Sequence, residues 1–169
     1  REASMCKYLN NKQNIKSNPN ENFARELMEL FTLGIGNYSE HDIKEAARAF
    51  TGWNFKRDGS FFIRKFQHDD DEKIFLGETG NFNGDDIIDI ILKQKSCAKY
   101  ICSKIYSYFI NPNIDSNRLH EITEVFYRDY DIGNLMTYIF ESDWFYDSNN
   151  IGVKIKSPIE LLAGIYQVV

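Results

Sequence analysis

The sequence predicts a mainly α fold, a helical bundle-like domain with a small β-hairpin or irregular β insertion near residues 53–77. Three observations carry that prediction. Apolar residues recur at helical spacing up to residue 52 and again after residue 84. Between Trp53 and Asn83 the texture changes to short aromatic runs around turn residues. The 43% of apolar residues, 15% of all residues being aromatic, is enough to fill a core. One domain over residues 1–169 is expected, helical over 1–52, β-containing over 53–83 and helical over 84–169.

Ala3, Met5, Cys6 and Leu9 give the first helical pattern. The polar stretch Asn10 to Asn18 lacks periodicity and reads as a loop. Pro19 then sits where a helix begins. From Asn20 to Leu33 one helix face gathers Phe23, Ala24, Leu27, Met28, Leu30 and Phe31, and the other carries Glu21, Asn22, Arg25, Glu26 and Glu29. Gly34 stops it. Ser39, with Asp42 three residues on, opens a second helix that reaches about Phe50. Asp58-Gly59 between Trp53-Asn54-Phe55 and Phe61-Phe62-Ile63 signals a hairpin, and a further apolar run, Ile74 to Leu76, ends at Gly77. Asn83 or Gly84 starts a helix rich in isoleucine. Ser96 is expected to cap the next, with Tyr100, Ile101, Ile105, Tyr108 and Phe109 inward, until Asn111-Pro112. Asp115 or Ser116 caps a helix through Phe126, another runs from about Ile132 to Phe140, and Ser157-Pro158-Ile159-Glu160 is a strong final start.

Lys and Arg number 20 against 25 Asp and Glu, a net charge of −5. That balance argues against nucleic acid as a partner, because such proteins show a basic face. No run approaches the roughly 20 apolar residues of a membrane helix, so no membrane span is expected in this segment. The spacing of Cys6, Cys97 and Cys102 matches no zinc site, and they read as unpaired, partly buried thiols.

Pro19 to Gly34 is distinctive, and so are Tyr38-Ser39-Glu40, Glu45 to Trp53, His68-Asp69, Phe75-Leu76-Gly77, Gly84-Asp85-Asp86 and Lys156 to Glu160. On these residues the chain resembles the bacterial family called domain of unknown function 1800, over nearly its whole length. The resemblance implies the later half of a longer member whose N-terminal half is missing here. It also implies an exported protein, periplasmic or at the cell surface, with an exported protein as partner. It implies no reaction.

The candidate polar site joins Glu21, Asn22, Arg25, Glu26, Glu29, Arg48, His68 and Asp69. Glu26 and Glu29 share a face at i, i+3, and with His68 and Asp69 they offer a histidine and three carboxylates, a donor set that suits a divalent cation. The plain reading of Glu21-Arg25-Glu29 is an ion-pair ladder, and that of His68 to Glu72 a solvated acidic turn. Arg48, among alanines, is expected to pair with a carboxylate of the preceding helix. Trp53, Phe55, Phe61 and Phe62 form a candidate aromatic binding surface, provided they are exposed. No Gly-x-Ser-x-Gly elbow and no phosphate loop occurs. The leading expectation is therefore a binding or assembly module. The alternatives are a metal-dependent or acid/base hydrolase using Glu26, Glu29, His68 and Asp69, and a carbohydrate-binding module.

Overall fold

A computed structural model describes residues 3–168, so positions 1, 2 and 169 of the expected helical segments lie outside the described residues. The fold is mainly α with two small antiparallel hairpins. It divides into two compact units, Arg1–Tyr100 and Ile101–Val169. No helix among the described residues is long and apolar enough to cross a membrane.

In the first unit, α1 (Ala3–Tyr8) buries Cys6. The helix expected over Asn20 to Leu33 forms over residues 22–32, past Pro19 rather than from it, and it changes type. It is α over Asn22–Glu26 (α2) and π over Leu27–Thr32. The Leu33 amide bonds the Met28 carbonyl at 2.8 Å, five residues back. In a π turn each residue advances by less than the ~100° of an α-helix, so the expected face falls out of phase. Phe23, Ala24 and Met28 are buried as expected, while Leu30 and Phe31 are about half exposed and Leu33 closes the buried side instead. Two hydroxyls bond carbonyls of this wider turn. Thr32 Oγ1 donates to Leu27 O at 2.7 Å, and Tyr100 Oη to Glu29 O at 2.9 Å. Gly34 ends the helix at φ +74°, and a Cβ there would lie 2.6 Å from the Tyr100 ring.

Ser39 and Asp42 form the expected reciprocal cap of α3 (Glu40–Ala49). The hairpin also forms as expected. β1 (Trp53–Phe55) pairs with β2 (Phe61–Ile63), Trp53 opposite Ile63. A second hairpin, not anticipated as such, pairs β3 (Lys73–Phe75) with β4 (Glu78–Gly80). Its two-residue turn puts both Leu76 (φ 47°) and Gly77 (φ 83°) in the left-handed region. Leucine is a poor occupant of that region, which is why the turn is hard to see in the sequence. α4 (Gly84–Leu92) starts on an Asn83–Asp86 capping box. Phe23, Phe50, Trp53, Phe61 and Phe55 pack edge to face at 4.9–5.5 Å as the aromatic core of this unit.

α5 (Lys95–Phe109) begins one residue before Ser96, so Ser96 does not cap it. Its buried stripe is Cys97, Ala98, Cys102 and Tyr106, and Tyr108 and Phe109, expected inward, are about half exposed. All three cysteines are buried. In the second unit Asp115 caps α6 (Ser116–Tyr127) and Asp131 caps α7 (Ile132–Glu141). Leu119, Ile122, Phe126, Leu135 and Ile139 fill the core of these helices. α8 (Pro158–Val168) opens on the expected box, Ser157 N to Glu160 Oε2 at 2.8 Å and Glu160 N to Ser157 Oγ at 3.2 Å.

Candidate functional site

One face of α3 carries Asp42, Glu45 and Arg48 at three-residue spacing, and these side chains meet the second hairpin and the turn that precedes it. Asp42 Oδ1 accepts the Leu76 amide at 2.8 Å and Glu45 Oε2 the Ile74 amide at 3.0 Å. Two carboxylates thus take amides of the second hairpin that would otherwise need water or a strand partner. Arg48 joins both sides. Its Nη1 donates to Glu45 at 2.9 Å, and its Nε donates to Asp69 Oδ2 at 2.8 Å. The expected partner on the preceding helix is therefore corrected. Arg48 pairs within α3 and with the turn after His68.

That turn is built inward. Asp69 is only 5% exposed, and Lys73 is fully buried with its Nζ donating to the carbonyls of Asp69 (2.6 Å) and Asp71 (2.8 Å). Thr51, just past α3, donates its hydroxyl to Arg48 O at 2.6 Å and accepts the Asp69 amide at 2.8 Å. The Thr51 carbonyl takes His68 Nδ1 at 2.8 Å. Gly52 permits this close approach. At φ +76° a Cβ would lie 2.8 Å from Arg64 O and 3.2 Å from His68 N.

Electrostatics follow the same contacts. Burial alone would raise the Asp69 carboxyl, but the Arg48 guanidinium and the Asp71 amide outweigh it and hold it below the usual carboxylate range. Asp42 behaves likewise, its burial outweighed by hydrogen bonds from Ser39 and the Leu76 amide. Burial lowers the Lys73 ammonium, a shift that nearby Asp69 partly opposes.

Beside this network lies a cleft of about 430 Å³, lined by Ile63, Lys65, His68, Asp70, Asn83 and Asp85 among others. His68 Nε2 is 3.9 Å from Asp70 Oδ1. Arg48, His68 and Asp69, all expected at a polar site, therefore come together.

Glu21, Asn22, Arg25, Glu26 and Glu29 form a separate group. Arg25 bonds Glu21 at 3.1 Å, and its second carboxylate is Glu40 of α3, held by two bonds of 2.8 Å. Glu29 is not the third rung of the ladder. The π register turns it to the Tyr38 hydroxyl at 3.5 Å. The Glu40 hydrogen bonds raise the Arg25 guanidinium, and Arg25 in turn lowers the Glu40 carboxyl. Asn22 donates to Leu9 O at 3.1 Å. Among the described residues, no three His, Cys, Asp or Glu side chains gather in a way that could hold a metal ion, so Glu26, Glu29, His68 and Asp69 do not form the expected cation group.

The aromatic surface is corrected too. Trp53 and Phe55 are buried and Phe61 packs against both, because these rings are the core that joins the hairpin to α3. Phe62 is half-buried on the opposite side of the strand, with Arg64 over its ring at 5.9 Å.

Sequence reasoning missed several polar residues of the interior. Asn14, within the stretch read as a loop, donates to Ala47 O at 2.8 Å, and Asn11 donates to Phe50 O at 3.4 Å. Together they satisfy carbonyls at the end of α3. Thr51 and Lys73 were missed as well. A Lys after a run of acids and an Asn among polar residues look like surface until the chain around them is folded.

A family model described as "Protein of unknown function (DUF1800)" matches residues 1–168. No curated protein and no solved structure matches the chain.

Proposed function

The chain belongs to the DUF1800 family of proteins of unknown function, and from that premise we propose that it is a binding or assembly module of an exported protein, docking through α8. The observation that supports this reading is the surface of α8. Ile159, Leu161, Leu162, Ile165 and Tyr166 are 52–83% exposed. Ile159, Leu162 and Tyr166 share one side of the helix, and Leu161 and Ile165 continue the same broad apolar face. An apolar face of that width on a helix is one meant for burial, and a contiguous exposed apolar patch marks a docking surface.

The test compares the full-length protein with its Ile159→Asp/Leu162→Asp variant. Chemical cross-linking in the native cell, followed by sedimentation of the purified complexes, should give an assembly with the parent protein. The variant should lose that assembly while keeping the thermal stability of the parent. Equal recovery of the assembly by both proteins would refute an interface on α8.

A further inference from the structure

The acids Asp70 to Glu72 would by themselves be a solvated turn. The histidine makes them more than that. A carbonyl oxygen can only accept, so in the 2.8 Å contact with Thr51 O the proton sits on His68 Nδ1. In the neutral ring Nε2 is then an acceptor. The side chain is only 11% exposed, yet it lines the cleft. Asp70 Oδ1 lies 3.9 Å from Nε2, too far for a direct hydrogen bond.

Two acceptors at that separation leave the gap that a single nitrogen bearing two N–H groups would bridge. The ring is also held in place from behind. Thr51 is fixed through Arg48 O and the Asp69 amide, and Gly52 brings the chain close to His68 N. The remaining lining sets the charge of the ligand. Asp70 and Asp85 outnumber Lys65, while Ile63 offers an apolar wall. The volume of about 430 Å³ exceeds what a few waters need and suits a small organic molecule.

We propose that this cleft binds a small organic molecule through its primary ammonium group, held between His68 Nε2 and the Asp70 carboxylate. Asp85 adds negative charge on the α4 side, and Ile63 meets the carbon skeleton. This is a ligand site of the first unit and does not depend on α8 docking.

The test is a titration of the ¹⁵N-labelled protein with cadaverine, with glucosamine, and with N-acetylglucosamine, in which an amide replaces the ammonium. Cadaverine and glucosamine should give saturable shifts of the amides of residues 63–70 and 81–85, and N-acetylglucosamine none. Unequal binding of the first two would tell a simple diamine from an amino sugar, and either result supports the ammonium site. His68→Asn keeps an N–H donor for the Thr51 carbonyl and removes Nε2. It should weaken binding by about tenfold or more, the scale of one charge-assisted hydrogen bond. Asp70→Asn, at an exposed carboxylate, should do the same without risk to folding. The proposal is overturned if neither ammonium compound gives saturable shifts. It is overturned equally if N-acetylglucosamine binds as well as glucosamine, or if Asp70→Asn binds as the parent does.

Discussion

Replacing Asp69 by Asn should destabilise the first unit by about 2 kcal/mol, on the following grounds. A hydrogen bond to a charged group contributes roughly 1.5–3 kcal/mol, and Asp69 accepts Arg48 Nε at 2.8 Å and the Asp71 amide at 3.0 Å. Orphaning a buried charge costs about 3–5 kcal/mol. The lower figure applies here because Arg48, 25% exposed at its side chain, keeps its two 2.9 Å bonds to Glu45. By contrast the Arg25–Glu40 pair has side chains 36% and 70% exposed, so Glu40→Gln should shift the urea midpoint less than Asp69→Asn does.

The two tryptophans fall one in each unit, Trp53 and Trp144. Following the Trp53 indole resonance through a urea titration therefore reads the first unit by itself, and the midpoint shift at constant slope gives the free energy. The acid limb supplies an independent check. Asp69 has a depressed folded pKa, so its contribution is fully present above the unfolded value of about 3.9 and is lost as pH falls through the lower folded value. The gap between parent and variant should thus hold at neutral pH and close on acidification below about pH 4. A loss under about 0.5 kcal/mol at pH 7, the ordinary size of a surface substitution, would refute the reasoning. So would a gap that widens in acid.

Gly34→Ala combines a left-handed backbone with a Cβ 2.6 Å from the Tyr100 ring, and should cost more than about 1 kcal/mol in urea titrations. Gly59→Ala, at φ +84° with open space around it, should cost less, strain alone being at work. Asn14→Ala leaves Ala47 O and the Asn20 amide without their 2.8 and 2.9 Å partners. A loss of about 1–3 kcal/mol is expected in the same assay. Burial pushes the Cys102 thiol up to about 12. In the folded protein at pH 8 it should therefore resist iodoacetamide, and mass spectrometry should find it alkylated only after denaturation.

Features coded within a few residues were legible in the sequence. Ser39 with Asp42 and Ser157 with Glu160 each form a reciprocal cap over three residues, Asn83 marks the start of α4, and Asp58-Gly59 sets the first hairpin. The second hairpin was obscured because its turn uses Leu76, held in place by Asp42 from α3. The π register over Leu27–Thr32 was not legible either, since Tyr100, some seventy residues away, bonds a carbonyl within it. Of the candidate polar site, Arg48, His68 and Asp69 proved to be neighbours, whereas Glu26 and Glu29 stayed on their own helix.

By itself the sequence determined the mainly α class, most of the helix starts, the first hairpin and the family, all of which rest on short-range spacing or on the order of residues along the chain. Only the tertiary structure decided which polar residues are interior. Asn11, Asn14 and Asp69 are buried because elements distant in sequence present the carbonyls and guanidinium that satisfy them. A polar group pays the desolvation cost of burial only when such partners are in place, and partners of that kind are set by the fold rather than by local spacing.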